Sequence, residues 1–582
     1  MWLFLIVNLI AVIGYYLFFC TILKQKEAFF PFCFISATVV LIYLFGCAEL
    51  LSLGYVAVIL TGICLLGGSI VFLYKKKEKP DLRIFFNPAF VFMLGGIIWC
   101  YVLSRGIYPS HYDDFSHWLK ICKTMYADSS YPNTAECSFQ NYVPGTATWI
   151  WYVTGIIGYS PQNCYFAQMV LNLSCCCALL SVADRDSTLL KKTVVTAFCA
   201  VFSVLLCAMD VTVYSLLVDG LLGLAASAAV IYAAASEEKN TGTARFLILL
   251  IMCAFMSLIK ASGSFLTLFT AIVYFGSLKG MKENKDRIKR WVFSLSLVII
   301  PYLFSLLYIT RAKRVFGSET WKQGSAEAYG RIISGWDGGR YADITKRFFK
   351  ECFDLINAWP QIRILWAVML AVIILSVINK SRKKAPDAQW RFVSIYIPVI
   401  ILLWLIGVLF TFYTFGEQEA NAETLISIER YTGTVAILAV SVLAYYLLKK
   451  LVAADEKKNF LAGTGIFAAL SVTACLVAGF HLMYVFGFKY YDFKMFTPDA
   501  WVYLEEYYPE RWDFNDDGYV MLIDVEEKDY DNYSKLIHVL TTYFRTTNCN
   551  VYDIKDLEYS GYSIDDVREV FPNIVFFYPQ RG

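Results

Sequence analysis

Charged residues are scarce in this sequence. Only 17% of its 582 residues are Asp, Glu, Lys or Arg, whereas 58% are hydrophobic and the mean hydropathy is +0.53. Soluble globular domains carry about 25% charged residues, so the composition excludes a soluble protein of this length. The formal net charge of +3 gives no indication of a nucleic-acid partner, and none is expected. The sequence therefore predicts an α-helical polytopic membrane protein in contact with the lipid bilayer.

A cleavable signal peptide and a disulfide framework are also missing from the pattern. The first apolar run, which starts at residue 2, has no basic segment before it and is followed by further apolar runs. Most of the 17 cysteines lie inside apolar runs, as Cys175, Cys176 and Cys177 do, where a thiol behaves as a small hydrophobic group. We expect mostly free thiols.

Fourteen apolar runs are candidates for transmembrane helices. A helix crosses the hydrocarbon core, about 30 Å thick, with about 20 apolar residues. The predicted spans are residues 2–23, 29–47, 53–73, 86–104, 162–183, 193–209, 214–235, 246–259, 264–278, 291–310, 364–379, 392–413, 431–448 and 459–481.

Short basic loops predict the side of the membrane that each segment faces, because loops rich in Lys and Arg stay cytoplasmic. Every such loop follows an odd-numbered span, so one orientation satisfies all of them and places both termini and the loop 105–143 outside the cytoplasm. The short spans 246–259 and 264–278 are kept separate, since merging them would break this agreement. The basic loops are 24–27, 74–83, 184–192, 237–245, 279–290, 380–391 and 449–458.

The pattern divides the chain into three parts. Residues 1–85 are N-terminal transmembrane helices, residues 86–481 are a transmembrane core with outer loops, and residues 482–582 are a small extracytoplasmic α/β domain. In the last part, strands alternate with helical patterns, which favours a parallel sheet. The strands are expected at 519–526, 549–554 and 573–578, and the helices at 532–546 and 563–571.

The first outer loop contains a polar cluster in the stretch "HYDDFSHW". Asp113 and His117 are four residues apart and share a face if the segment is helical, while Asp114 and Lys120 lie beside them. A carboxylate there can serve as a general base toward an acceptor hydroxyl, or can hold a divalent cation against a phosphate. His117 and Lys120 can bind a phosphate oxygen. A solvated helix N-cap formed by either aspartate explains the same spacing about as well.

Three more charged residues lie at the outer ends of predicted spans: Asp219 in "LLVDGLLG", Lys260 in "LIKASGSF" and Arg430 in "ISIERYTG". A carboxylate at a helix end in the membrane usually serves a cavity or a partner, and the two cations suit a phosphate. The alternatives are an interfacial cap for Asp219, snorkelling of Lys260, and pairing of Arg430 with Glu423 or Glu429.

These motifs, with "NYVPG" at 141–145, resemble membrane glycosyltransferases of the GT-C class over roughly residues 86–435. The class includes protein mannosyltransferases and bacterial lipid A aminoarabinose transferases, which use dolichyl- or polyprenyl-phosphate sugars. The resemblance implies a GT-C-like fold, Asp113 as the base that deprotonates the acceptor, and Asp114 in a supporting or metal-contacting role. Two features depart from the family: three spans precede the motif helix where one is common, and the second acid is Asp where Glu is frequent.

The resemblance also implies how the donor is held. Lys260 and Arg430, with His117 as a further candidate, would hold the donor phosphate, and Lys120 and Asp219 complete the predicted substrate-binding set. No cofactor is certain, and a divalent cation, Mg²⁺ or Mn²⁺, at Asp114 is the one candidate.

The sequence thus predicts transfer of a sugar from a polyprenyl-phosphate carrier to a glycan, lipid or protein acceptor of the cell envelope. One alternative is an envelope polysaccharide polymerase or ligase, which would use arginines such as those of the loop 311–362. Another is a flippase or transporter of lipid-linked saccharides, which would place charges in the middle of its spans. The spans are nearly free of central charges, and this favours an enzyme.

Overall fold

Helices account for almost all of the chain that the computed structural model describes. Its described residues are 2–453, apart from a few single positions and several gaps, together with scattered residues and three strands beyond residue 453. The gaps are 78–81, 134–141, 236–241, 278–283, 318–329, 333–337, 382–387 and 415–423.

The helices follow the apolar runs of the sequence. In the described residues they are α1 (Trp2–Leu17), α2 (Phe30–Cys47), α3 (Leu51–Lys76), α4 (Pro88–Arg105), α5 (Leu119–Asp128), α6 (Gly145–Ile157), α7 (Pro161–Cys176), α8 (Leu189–Cys207), α9 (Asp219–Ala235), α10 (Gly242–Ile259), α11 (Gly263–Ser277), α12 (Asn284–Phe316), α13 (Gly338–Phe353), α14 (Pro360–Ser381), α15 (Ala388–Tyr413) and α16 (Ile428–Val452).

The chain is a helical, multi-pass membrane protein. Within the described residues, 11 helical segments are long and apolar enough to cross a bilayer, and α9 and α11 are shorter apolar helices. Together these segments coincide with thirteen of the predicted spans, and the predicted spans 246–259 and 264–278 are separate helices, α10 and α11, as predicted. The remaining predicted span, 459–481, lies outside the described residues. The count of fourteen spans therefore stays a prediction.

Helix α6 lies inside the protein. The aromatic residues of the segment 144–160 predict an interfacial or re-entrant helix, but Trp149, Trp151 and Tyr152 are all buried. The Trp149 indole donates a hydrogen bond to a carbonyl of α7 at 2.8 Å, and the Tyr152 hydroxyl donates to Asn8 Oδ1 at 3.0 Å. These rings therefore pack inside the protein, with their polar atoms bound to protein groups. The interfacial or re-entrant position of the segment relative to the bilayer stays a prediction.

Two glycines bring together the helix ends that carry charged residues. On α9, a Cβ at Gly223 would overlap the carbonyl oxygen of Thr434 on α16, so the two helices pack with their backbones close. At Gly263, the first residue of α11, a Cβ would overlap a carbonyl oxygen of α10. The turn between α10 and α11 closes with a 2.7 Å hydrogen bond from the Gly263 N–H to the Lys260 carbonyl.

An arginine joins the loop 105–143 to the helices around it. Arg311, near the C-terminal end of α12, binds both carboxylate oxygens of Glu49, with distances of 2.8 and 3.2 Å. The same guanidinium donates to the carbonyl oxygens of Tyr131 and Pro132, at 3.2 and 3.1 Å. Its bidentate geometry fixes the end of the loop that follows α5 against α12 and the α2–α3 turn.

Beyond residue 453 the described residues include a three-stranded parallel sheet. Its strands are β1 (Tyr519–Ile523), β2 (Cys549–Asp553) and β3 (Ile574–Phe577), in the order β2-β1-β3. Met521 of β1 lies opposite Val551 of β2 and Val575 of β3. The three strands therefore occur where the sequence predicts them, and they pair in parallel. Most of the two predicted helices lies outside the described residues, so a complete α/β domain stays a prediction.

Candidate functional site

Four charged side chains from distant parts of the sequence meet at the ends of the helices. Arg430 bridges two carboxylates: its Nη1 lies 2.8 Å from Asp113 Oδ2, and its Nη2 lies 3.1 Å from Asp219 Oδ2. Lys260 Nζ lies 2.6 Å from the other oxygen of Asp219. These four residues, called the charge cluster below, contain two acids and two bases and therefore have no net charge.

The local structure explains how the charge cluster forms. Asp219 is the first residue of α9, where a carboxylate is stabilised by the helix dipole and by the N–H groups of the first turn. Arg430 is in the first turn of α16, and Lys260 is in the turn between α10 and α11. The Thr434 hydroxyl of α16 donates to the Asp219 carbonyl at 3.0 Å, so the two helix ends are joined next to the ion pairs.

The charge cluster is open on one side. The Asp219 side chain is 4% exposed, whereas those of Asp113, Arg430 and Lys260 are 20%, 20% and 29% exposed. The Lys260 ammonium also lies 4.8 Å from the centre of the Tyr431 ring. A buried carboxylate thus holds two cations, and those cations and Asp113 remain accessible to a ligand. Lys260 is paired with Asp219, and Arg430 with Asp113 and Asp219; Glu423, one of the predicted alternative partners of Arg430, lies outside the described residues.

Asp113 is held as a carboxylate. Burial by itself raises its pKa, but the positive charge of Arg430 and the hydrogen bond that it donates bring the pKa below its ordinary value. The backbone N–H of Asp113 donates to His111 Nδ1 at 3.1 Å. Burial lowers the pKa of His111 to about 4, so its ring is neutral near pH 7 and its Nδ1 can accept this hydrogen bond. Asp113 is therefore ionised across the neutral range.

Asp114 has a different environment from its neighbour. Its side chain is completely buried, and its two oxygens accept hydrogen bonds from the Leu216 N–H at 2.8 Å and from the Tyr165 hydroxyl at 3.0 Å. Burial raises its pKa to about 8, against the lowering effect of these two hydrogen bonds. Through these hydrogen bonds Asp114 joins the loop 105–143 to α7 and to the segment before α9.

His117 and Lys120 are both buried in the described structure. The five residues Asp114–Trp118 form a π-helical turn, and Lys120 belongs to α5, which continues from it. His117 Nδ1 lies 2.7 Å from the hydroxyl of Ser116, and its ring packs edge-on against Tyr142 with 5.4 Å between ring centres. Both side chains lie in the protein interior, and His117 is near enough to Asp113 to affect its carboxylate.

Several neighbours of the site were not singled out from the sequence. His111 and Tyr142 lie in the motif stretches "HYDDFSHW" and "NYVPG", so the sequence could have indicated that they belong to the site. The sequence does not indicate a role for Tyr165 or for the N–H of Leu216. Tyrosines occur in many of the apolar helices, and every residue except proline has a backbone N–H.

The sequence predicts Asp114 as a candidate ligand of a divalent cation. Among the described residues there is no group of three or more His, Cys, Asp or Glu side chains that could hold a metal ion. Both oxygens of Asp114 bind groups of the protein itself. Asp113 and Asp219 are joined through Arg430.

The C-terminal region reaches this part of the molecule. The Thr542 hydroxyl donates to the carbonyl of Phe115 at 3.3 Å, and Thr542 and Tyr543 are both buried. Phe115 is two residues from Asp113 and is itself 1% exposed. The described part of the predicted tail helix therefore packs on the loop that supplies the aspartate pair.

The fold and the site together define a class: a helical multi-pass membrane protein with an ion-paired polar site where several helices end. Comparison with protein families, with curated proteins and with solved structures finds no match to this chain. We therefore infer its chemistry from its own residues.

Proposed function

We propose that this protein is an integral membrane glycosyltransferase that moves a sugar from a polyprenyl-phosphate carrier to an acceptor on the outer side of the membrane. The observation that carries the proposal is the bridge formed by Arg430 between Asp113, the predicted base, and Asp219, which also binds Lys260. A general base and two phosphate-binding cations are the groups that the reaction requires, and they lie within one cluster.

The bridge suggests how proton transfer and departure of the phosphate are coupled. The acceptor hydroxyl attacks the anomeric carbon, its proton passes to an oxygen of Asp113, and the bond from the anomeric carbon to the phosphate oxygen breaks. The electron pair of that bond stays on the polyprenyl phosphate, whose charge grows by one unit. Asp113 loses its negative charge in the same step, so the charge of Arg430 becomes available to the leaving phosphate.

Lys260 and Asp219 have supporting roles in this scheme. The Lys260 side chain is the most exposed of the charge cluster, so its ammonium is placed to bind the donor phosphate before reaction. The buried Asp219 holds both cations in position when the site has no ligand. Asp114, with its oxygens bound to Leu216 and Tyr165, orients the loop that carries the base.

The test is sugar transfer by the purified full-length chain in lipid nanodiscs, with a panel of radiolabelled polyprenyl-phosphate sugars and an envelope extract as acceptor. We expect Asp113→Asn to lower the rate by about 10²- to 10⁴-fold, the usual contribution of a general base. Asp128→Asn is the matched control, since Asp128 is an exposed residue at the end of α5 in the same outer loop. It should leave the rate unchanged.

The same assay separates the alternatives. Full activity of a well-folded Asp113→Asn variant would reject the base assignment. Product made only from a lipid diphosphate oligosaccharide would favour a polymerase or ligase, and movement of the lipid across the bilayer without any product would favour a flippase. Activity measured with and without a chelator tests the Mg²⁺ or Mn²⁺ prediction.

A further inference from the structure

A cavity lies on the side of the molecule that carries the basic loops, away from the charge cluster. Its volume is about 460 Å³, and it is enclosed by the segment that follows α1, the end of α3, the start of α4 and the segment that follows α7. The walls combine apolar side chains, such as Leu73, Pro88 and Leu180, with the cations Lys24, Lys26 and Arg185. Glu27 is the one acidic side chain of the described lining.

The polar part of this cavity is fixed in place by contacts across it. Lys26 Nζ donates to the Ser181 carbonyl at 3.0 Å, and Arg185 forms an ion pair with Glu27. Both contacts join the segment after α1 to the segment after α7. Lys26 and Arg185 therefore lie at defined positions in the cavity lining.

The start of α4 adds to the positive potential of the cavity. Asn87 caps this helix: its Oδ1 accepts a hydrogen bond from the Phe90 N–H at 3.0 Å, and its Nδ2 donates to the Tyr16 hydroxyl at 3.0 Å. The helix has 18 residues, and the positive end of its dipole points toward the lining residues Asn87, Pro88 and Ala89. Three cations and a helix N-terminus thus face a cavity with one carboxylate.

We propose that this cavity binds the phosphate group of an anionic phospholipid from the leaflet on the basic-loop side. Basic pockets between transmembrane helices at that surface suit lipid head groups. The apolar walls provide a surface for the first part of the acyl chains. A free phosphate would leave this apolar surface uncovered. This inference does not rest on glycosyl transfer, since the cavity shares no residue with the charge cluster.

The test measures lipid binding to the purified full-length chain in neutral detergent, by native mass spectrometry and by the unfolding temperature. Phosphatidylglycerol, phosphatidylcholine and inorganic phosphate are titrated separately. We expect saturable binding and a raised unfolding temperature with phosphatidylglycerol alone. The variant Lys24→Gln/Lys26→Gln/Arg185→Gln should bind it more weakly by about tenfold or more.

Two further variants keep the result interpretable. Lys75→Gln/Lys76→Gln/Lys77→Gln removes the same charge from exposed positions at the end of α3, outside the lining, and should bind like the wild type. Ala183→Phe fills the cavity with all charges retained and should also lose binding. Equal losses in both charge variants, equal binding of the two lipids, or unchanged binding by Ala183→Phe would overturn the proposal. Stabilisation by inorganic phosphate alone would show that the cavity binds a free anion, and would overturn the proposal of a lipid ligand.

Discussion

Two adjacent carboxylates of this chain differ in protonation because their surroundings differ. Arg430 lowers the pKa of Asp113, whereas complete burial raises the pKa of Asp114 to about 8. The sequence "HYDDFSHW" predicts a polar pair, and the resemblance to the GT-C class assigns the base to Asp113. The residues alone did not show which acid faces a cation, because that depends on Arg430, 317 residues away.

The difference predicts how stability depends on pH. Asp114 has a pKa of about 8 when folded, against an ordinary value of 3.8, so between these values the unfolded chain binds fewer protons than the folded one. The contribution of Asp114 to the free energy of unfolding is therefore fully present below pH 4 and is lost as the pH rises toward 8. Asp114→Asn, which resembles the protonated form, should be more stable than the wild type at pH 8 by on the order of a few kcal/mol.

The measurement is the unfolding temperature in detergent from pH 5 to pH 9, compared between wild type and Asp114→Asn. The gap between them should widen as the pH rises. Asp343→Asn on α13 is the control, because Asp343 is exposed, and its curve should run parallel to that of the wild type. A constant gap for Asp114→Asn would contradict a raised pKa.

At the scale of elements, periodicity and length predict helices better than they predict which helices face lipid. The apolar runs give nearly every span within a few residues, because a membrane helix needs a fixed length. The buried position of α6 was not predictable in the same way, since its aromatic residues are as suitable for an interface as for a protein interior. Packing partners decide between the two, and they come from α7, the next helix in the chain, and from α1, which is remote in sequence.

The close packing of α9 on α16 positions the charge cluster, and this can be tested at Gly223. A Cβ there would meet the backbone of α16 at Thr434, so Gly223→Ala should push the helix ends apart and lower the unfolding temperature. The cost should be about 1–3 kcal/mol, as for other overpacked sites. The proposed sugar-transfer activity should fall as well, since Asp219 and Arg430 would separate.

Gly155→Ala in α6 is the matched control. An added Cβ at Gly155 has no neighbour within 4 Å, so the substitution should be neutral or slightly stabilising, because alanine favours a helix. Equal effects of the two substitutions would show that the separation between α9 and α16 does not limit stability.

At the scale of the whole molecule, the membrane orientation connects the basic loops to the site. The charge-based prediction places residues 105–143, 210–220, 259–263 and 415–433 on one side, and the charge cluster draws one residue from each of these segments. Arg311 and Glu49, also predicted on that side, form an ion pair. Ion pairs between side chains at helix ends require a common surface, so the contacts agree with the predicted arrangement.

Orientation is measured with single cysteines and a membrane-impermeant thiol reagent. Ser129→Cys, at an exposed position just after α5, should react in intact cells, whereas Lys77→Cys, at the end of α3, should react only after permeabilisation. The unsubstituted chain gives the background from its own thiols, of which 14 are free cysteines in the described residues. Labelling of Ser129→Cys from the cytosol alone would show that the predicted orientation is reversed. A polyprenyl-phosphate donor on the outer side could then not reach the site.

The hydrogen bond from Thr542 to Phe115 joins residues 427 positions apart. A ribosome adding about 5–20 residues per second needs roughly 20–85 s to make the intervening chain. During that interval the aspartate loop has already been synthesised without the segment that covers Phe115. Assembly of this region is therefore completed late in biogenesis, and a premature stop codon upstream of Thr542 would leave a hydrophobic surface beside the aspartates for quality-control proteases to recognise.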